Sequence, residues 1–119
     1  MTIAIKRVYD APSIDDGLRV LVDRLWPRAL SKEKARLDLW EKNIALSNEL
    51  RTWFHHEAGN WQEFCRRYTA ELAARPDEVR GFRELLKDHS RVTLLYGAWD
   101  AAHNQAVVLR DFLQNKNTP

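Results

Sequence analysis

Two stretches of the chain, LRVLVDRL (18–25) and RVTLLYGA (91–98), are apolar at consecutive positions rather than at alternate ones. A strand with one face in water alternates; a strand covered on both faces does not. The chain must therefore cover a sheet from two sides, which predicts strands over Leu18–Leu25 and Arg91–Ala98 in a layered fold. A third segment, Ile3–Tyr9, reads as a strand with Ile3, Ile5 and Arg7 on one face. The turn-rich APSIDDG (11–17) joins the first two strands. About eight residues are too few for an ordinary parallel crossover. Either that pair is antiparallel or the two strands are not neighbours.

The middle of the chain reads as helices. Ser31 is suited to cap a helix running to about Asn43, with Leu37, Trp40 and Ile44 on one side. Ser47 or Asn48 can cap a short helix carrying Leu50, Trp53 and Phe54. Asn60 can cap a longer one, whose Trp61, Phe64, Cys65, Tyr68 and Leu72 form a regular apolar stripe. Pro76 opens a helix with Val79, Phe82, Leu85 and Leu86 inward, and Ala101–Leu113 reads as the last. The predicted fold class is α/β: a small, mostly parallel β-sheet of about three strands layered with about five helices. At 119 residues this is a single domain, 1–119, with 115–119 read as a flexible tail.

Charge excludes little. Nineteen basic and 17 acidic side chains leave a net +2, which disfavours nucleic acid as the partner without excluding it. One cysteine rules out an internal disulfide. No apolar run is long enough to cross a membrane. MTIAIKRVYD lacks the basic-then-apolar pattern of a secretory signal, so the expectation is a cytoplasmic protein. No Walker loop, GxGxxG or GxSxG is present, and nothing calls for a cofactor. The adjacent His55 and His56 point about 100° apart on a helix, so no metal is expected.

In an open α/β sheet, ligands bind beyond the carboxyl ends of the strands. Two strand ends carry unusual residues: Asp23, Arg24, Trp26, Pro27 and Arg28, and Tyr96, Gly97, Trp99, Asp100, His103 and Asn104. Arg24 and Arg28 offer planar, permanently charged forks for phosphate or carboxylate. Gly97 lets a ligand approach the backbone, and Trp26 and Trp99 offer stacking surfaces. Asp23, Asp100 and His103 are the candidate catalytic proton carriers. Simpler roles compete: an Asp23–Arg24 ion pair, Asp100 as a helix N-cap, and His103 as an exposed, locally bonded histidine.

The stretches KRVYD (6–10), DGLRVLVDRLWPR (16–28), LSKEKARLDLW (30–40), SNELRTWF (47–54), WQEFCRRYTAEL (61–72), VTLLYGA (92–98) and HNQAVVL (103–109) resemble the YeaO-like branch of the domain of unknown function 488 family. They run in the family's order over nearly the whole chain. The family has no assigned function, although some members carry transcription-regulator labels. The resemblance implies polar invariants at Asp23, Arg24, Arg28, Ser47, Asn48, Glu49, Arg51, Tyr96, Asp100, His103 and Asn104, which adds the Ser47–Arg51 group as a third wall. It also marks departures: Ala29 and His55 stand where glycine is usual, Leu46 where proline is usual, and Trp99 where a basic residue is common. The first functional expectation is a small anionic, phosphorylated or nucleotide-like ligand, bound or acted upon, with Arg24, Trp26, Arg28, Ser47, Asn48, Arg51, Tyr96, Gly97, Trp99 and Asn104 as binding residues. The alternatives are a nucleic-acid-binding regulator and a non-catalytic interaction module that forms a homodimer.

Overall fold

The structure is a computed structural model and describes residues 1–56 and 59–114. Four strands, β1 (Thr2–Arg7), β2 (Leu18–Leu21), β3 (Leu39–Trp40) and β4 (Arg91–Tyr96), form one sheet in the order β1-β4-β2-β3. All three pairings are parallel. Among the described residues five α-helices accompany them: α1 (Lys32–Ala35), α2 (Asn48–His56), α3 (Trp61–Ala73), α4 (Pro76–Leu86) and α5 (Gln105–Gln114). The predicted tail at 115–119 lies outside the described residues.

The order of strands settles the short connection. β1 and β2 are not neighbours, because β4 lies between them; the connection leaves at the end of β4, where Val8 N donates to Tyr96 O, and Gly17 returns to its beginning at Arg91. The approach is close. A Cβ on Gly17, at φ 64°, would lie 2.2 Å from the Arg91 carbonyl oxygen, so only glycine fits. Thr93 Oγ1 donates to the Asp16 carbonyl at 2.6 Å. The Asp16 carboxylate accepts from Lys6 on β1 at 3.1 Å and pairs with the buried Arg19 on β2, so it clamps two strands across the one between them. Burial pushes the Asp16 carboxyl up, but the bonds from Ser13, Lys6 and Arg19 outweigh it and hold the group below its ordinary value.

The sheet is covered unequally. One face presents Ile3, Val20, Val22, Val92, Leu94 and Tyr96 to the main core, where Phe64, Tyr68 and Leu72 of α3 meet Val79, Phe82 and Leu86 of α4 and Val108, Leu109 and Phe112 of α5. The other face, with Leu21 and Leu95, is covered by Val8, Ala35, Trp26, Leu30, Leu37 and Trp40. That second cover corrects the sequence reading. Ser31 does cap a helix, its Oγ accepting from Lys34 N at 3.2 Å, but α1 stops after one turn because Arg36 turns left-handed at φ 46°. Asp38 then exchanges bonds with the backbone of Arg19, and Leu39–Trp40 becomes a fourth strand where a helix was expected to continue to Asn43. The last helix also begins later than Ala101. Asp100 Oδ1 accepts from Ala102 and His103 N–H in a surface turn, and Asn104 caps α5 by accepting from Ala106 and Val107 N–H. Asp100 is therefore not the N-cap of α5.

Candidate functional site

Parallel strands deliver their C-terminal ends to one edge of the sheet, and the chain leaving β2 meets the chain leaving β4 there. Val22 N donates to Leu95 O at 3.1 Å, which carries the pairing one residue past β2 and sets Asp23 beside Gly97. Asp23 Oδ2 accepts from Gly97 N at 2.8 Å, and Asp23 Oδ1 accepts from Gln105 Nε2 at the start of α5. A Cβ on Gly97 would sit 2.9 Å from Asp23 Oδ2 and 3.4 Å from Pro27 Cβ, so the glycine is needed for this approach. Trp40 Nε1 donates to the Asp23 carbonyl at 2.8 Å, and Trp26 packs edge-on against Trp40 with ring centres 5.3 Å apart. Burial pushes the Asp23 carboxyl up to about 6, against the opposing bonds from Gly97 and Gln105.

Around this pin lies a cleft of about 420 Å³. Asp23, Arg24, Trp26, Arg28, Arg51 and Gly97 line it, joined by Tyr9, Leu46, Phe54, Phe64 and Gln105, which the sequence reading did not single out. Phe54 and Phe64 stack at 4.0 Å and make an aromatic wall. Among the described residues Arg24 Nη1 donates to Leu46 O alone, at 3.5 Å. Among the described residues none of Arg24, Arg28 and Arg51 is paired with a carboxylate. The Asp23–Arg24 ion pair that would have explained both residues structurally is absent from those pairs.

The other expected site residues lie elsewhere. Ser47 caps α2, accepting from Leu50 N at 3.0 Å while its Oγ donates to Glu71 Oε2 at 2.6 Å. Asn48 faces an adjoining cleft that shares Arg24 and Leu25 with the first and also holds Lys42, Asn43, Arg75 and Glu78. Tyr96 is buried in the main core, and Asn104 is buried as the α5 cap. Asp100 and His103 meet each other at 3.2 Å on the exposed surface, the His103 ring lying 4.8 Å from that of Trp61. The bonds from Ala102 and His103 N–H hold the Asp100 carboxyl below its ordinary value. Trp99 is 86% exposed.

Other candidates are less suited to a ligand. A shallow depression between α2 and α3 contains Arg66 and Arg67, but Glu63 pairs with both, at 2.6 and 2.7 Å. Burial pushes the Cys65 thiol up, away from nucleophilic reactivity. Among the described residues no three His, Cys, Asp or Glu side chains are grouped to hold a metal ion, and no helix is long and apolar enough to cross a membrane.

Fold and cleft together define a small, all-parallel α/β protein whose strand ends open into a cleft lined in part by three arginines. The chain belongs to the family described as "Inactive DUF488-N3 subclade", matched over residues 2–118, in agreement with the resemblance carried by RLWPR and SKEKA. It is 44% identical over 115 residues to "Uncharacterized protein YeaO" of Escherichia coli K12, covering 97% of this chain and 99% of that one. It is 38% identical over 116 residues to "Uncharacterized protein Rv3073c" of Mycobacterium tuberculosis H37Rv, covering 96% of this chain and 95% of that one. No solved structure matches it significantly.

Proposed function

We propose that this is a cytoplasmic protein that binds a small anionic ligand, phosphorylated or nucleotide-like, in the cleft at the C-terminal ends of β2 and β4, and binds it without turnover. The observation that carries the reading is the set of three arginines, Arg24, Arg28 and Arg51, which line one cleft with no carboxylate partner among the described residues. An anion held by such side chains gains charge-assisted hydrogen bonds. Asp23 forms no ion pair with them among the described residues and serves as the pin that joins Gly97 to Gln105. Binding is favoured over catalysis on two grounds. Of the three candidate proton carriers, Asp100 and His103 are not among the residues lining the cleft and Asp23 is held by Gly97 and Gln105; the family, in addition, is described as inactive. A nucleic-acid surface is supported less well, because Arg66 and Arg67 both already pair with Glu63.

The test is thermal unfolding at low ionic strength with inorganic phosphate and AMP. A ligand at about 100 times its Kd stabilises the fold by about 2.7 kcal/mol. The wild type is expected to gain stability, and the Arg24→Ala/Arg28→Ala double variant to lose most of that gain. Equal responses in the two proteins would end the reading.

A further inference from the structure

Trp99 is almost entirely in water, which is unusual for the largest apolar side chain. It is nevertheless not isolated. The Arg7 guanidinium lies 5.0 Å from the centre of the Trp99 ring and 5.3 Å from that of Tyr9, within cation–π range of both. Each member of this group is tied to the wall of the strand-end cleft. Arg7 Nε donates to the Ala98 carbonyl at 3.2 Å, Tyr9 Oη donates to the Arg28 carbonyl at 2.7 Å, and Trp99 follows Ala98 directly. Tyr9, Arg28 and Ala98 all line the cleft. The cationic cleft is thus continued at its rim by an indole that is backed by a cation and open to solvent.

We propose that this rim is the stacking platform for the flat ring of the ligand, so that the ligand class is an aromatic heterocycle carrying an anionic group, such as a nucleoside monophosphate. The inference rests on the anion-binding reading above and adds to it a residue that selects for a ring. The anionic group sits among Arg24, Arg28 and Arg51, and the heterocycle lies on the open face of Trp99. Arg7 has its own role: it holds the indole against the strand end through Ala98 and leaves the outer face free. A small ligand suits a cleft of about 420 Å³, and the adjoining cleft sets Glu78 beside Lys42 and Arg75, which disfavours a nucleic-acid strand running on from it.

The experiment compares AMP with ribose 5-phosphate, which keeps the phosphate and sugar but lacks the ring. Both are titrated calorimetrically into the wild type, Trp99→Ala and Arg24→Ala/Arg28→Ala. Base–aromatic stacking makes AMP bind the wild type about tenfold or more tightly than ribose 5-phosphate. Trp99→Ala is expected to abolish that preference while leaving ribose 5-phosphate binding unchanged; Arg24→Ala/Arg28→Ala is expected to weaken both ligands. Because Trp99 is exposed, its replacement leaves the fold intact, and a circular dichroism melt checks this. If both ligands bind the wild type equally, or the AMP preference survives in Trp99→Ala, the platform is refuted while the anion site stands. If neither ligand binds the wild type, both readings fall. Tighter binding of a single-stranded oligonucleotide than of AMP also overturns the proposal, in favour of a nucleic-acid surface.

Discussion

Replacing Asp23 by Asn tests the central pin of the cleft through its response to pH. In the folded chain burial raises the Asp23 carboxyl from its ordinary 3.8 to about 6. That difference spans about two pH units, and at about 1.4 kcal/mol for each it amounts to about 3 kcal/mol carried against folding at neutral pH. The sign follows from proton binding. Below pH 3.8 the group is neutral in both folded and unfolded chains and costs nothing. Between 3.8 and about 6 the unfolded chain gives up its proton while the folded chain keeps it, so stability falls as pH rises. Above about 6 both are ionised and the full cost is carried.

Asparagine keeps the shape and never ionises. Its Oδ1 can accept from Gly97 N–H, and Gln105 can turn its amide to accept from the new NH₂ group. Asp23→Asn is therefore expected to exceed the wild type in stability by up to about 3 kcal/mol at pH 7.5, about 10 °C in Tm for a chain of this size. Near pH 4 the advantage should shrink towards zero. Urea and thermal unfolding of both proteins across pH 4 to 8 measure it, and the comparison cancels titrations that the two share. An Asp23→Asn difference that is constant across that range would refute the reasoning.

Two further substitutions probe the backbone that shapes the cleft. Gly97→Ala forces a methyl against Asp23 Oδ2 and Pro27, and is expected to cost about 1–3 kcal/mol in urea unfolding, with weaker phosphate binding by calorimetry. Ala29→Gly acts in the opposite direction. Ala29 sits at φ 59°, in the left-handed region where glycine is favoured, so the substitution is expected to add about 0.5–1 kcal/mol to stability by the same assay.

Much of the architecture was legible because of burial. Leu18–Leu21 and Arg91–Tyr96 lie within the consecutive apolar runs, and being sandwiched between layers is what such runs require. Leu39–Trp40 was not legible. A two-residue strand has no period of its own, and Leu37, Trp40 and Ile44 at spacings of three and four imitate a helical face. What ends α1 is the conformation of Arg36, which no residue type there announces. For the site, the strand-end rule brought Arg24, Arg28 and Gly97 to one cleft, and Arg51 arrived with them. Asp100 and His103 went elsewhere, because an aspartate three residues before a histidine near a helix start suits a surface turn as well as chemistry. Gln105 was missed by one position: the helix starts at Gln105, so it is the first helical side chain, and not the cap before it, that reaches Asp23.

The position of β4 bears on how this protein comes into being. One of the two inner strands of the sheet is the next-to-last element among the described residues, and Thr2 finds its partner only at Arg91. A nascent chain that has not yet reached Arg91 holds β1 and β2 apart with an empty slot between them, and only the short β2–β3 pairing available. Such distant pairing slows folding, since the loop must close before any contact rewards it. It also makes the molecule indivisible: a fragment ending before β4 has no sheet to inherit, and the edge of the cleft cannot assemble until the final fifth of the polypeptide is in hand.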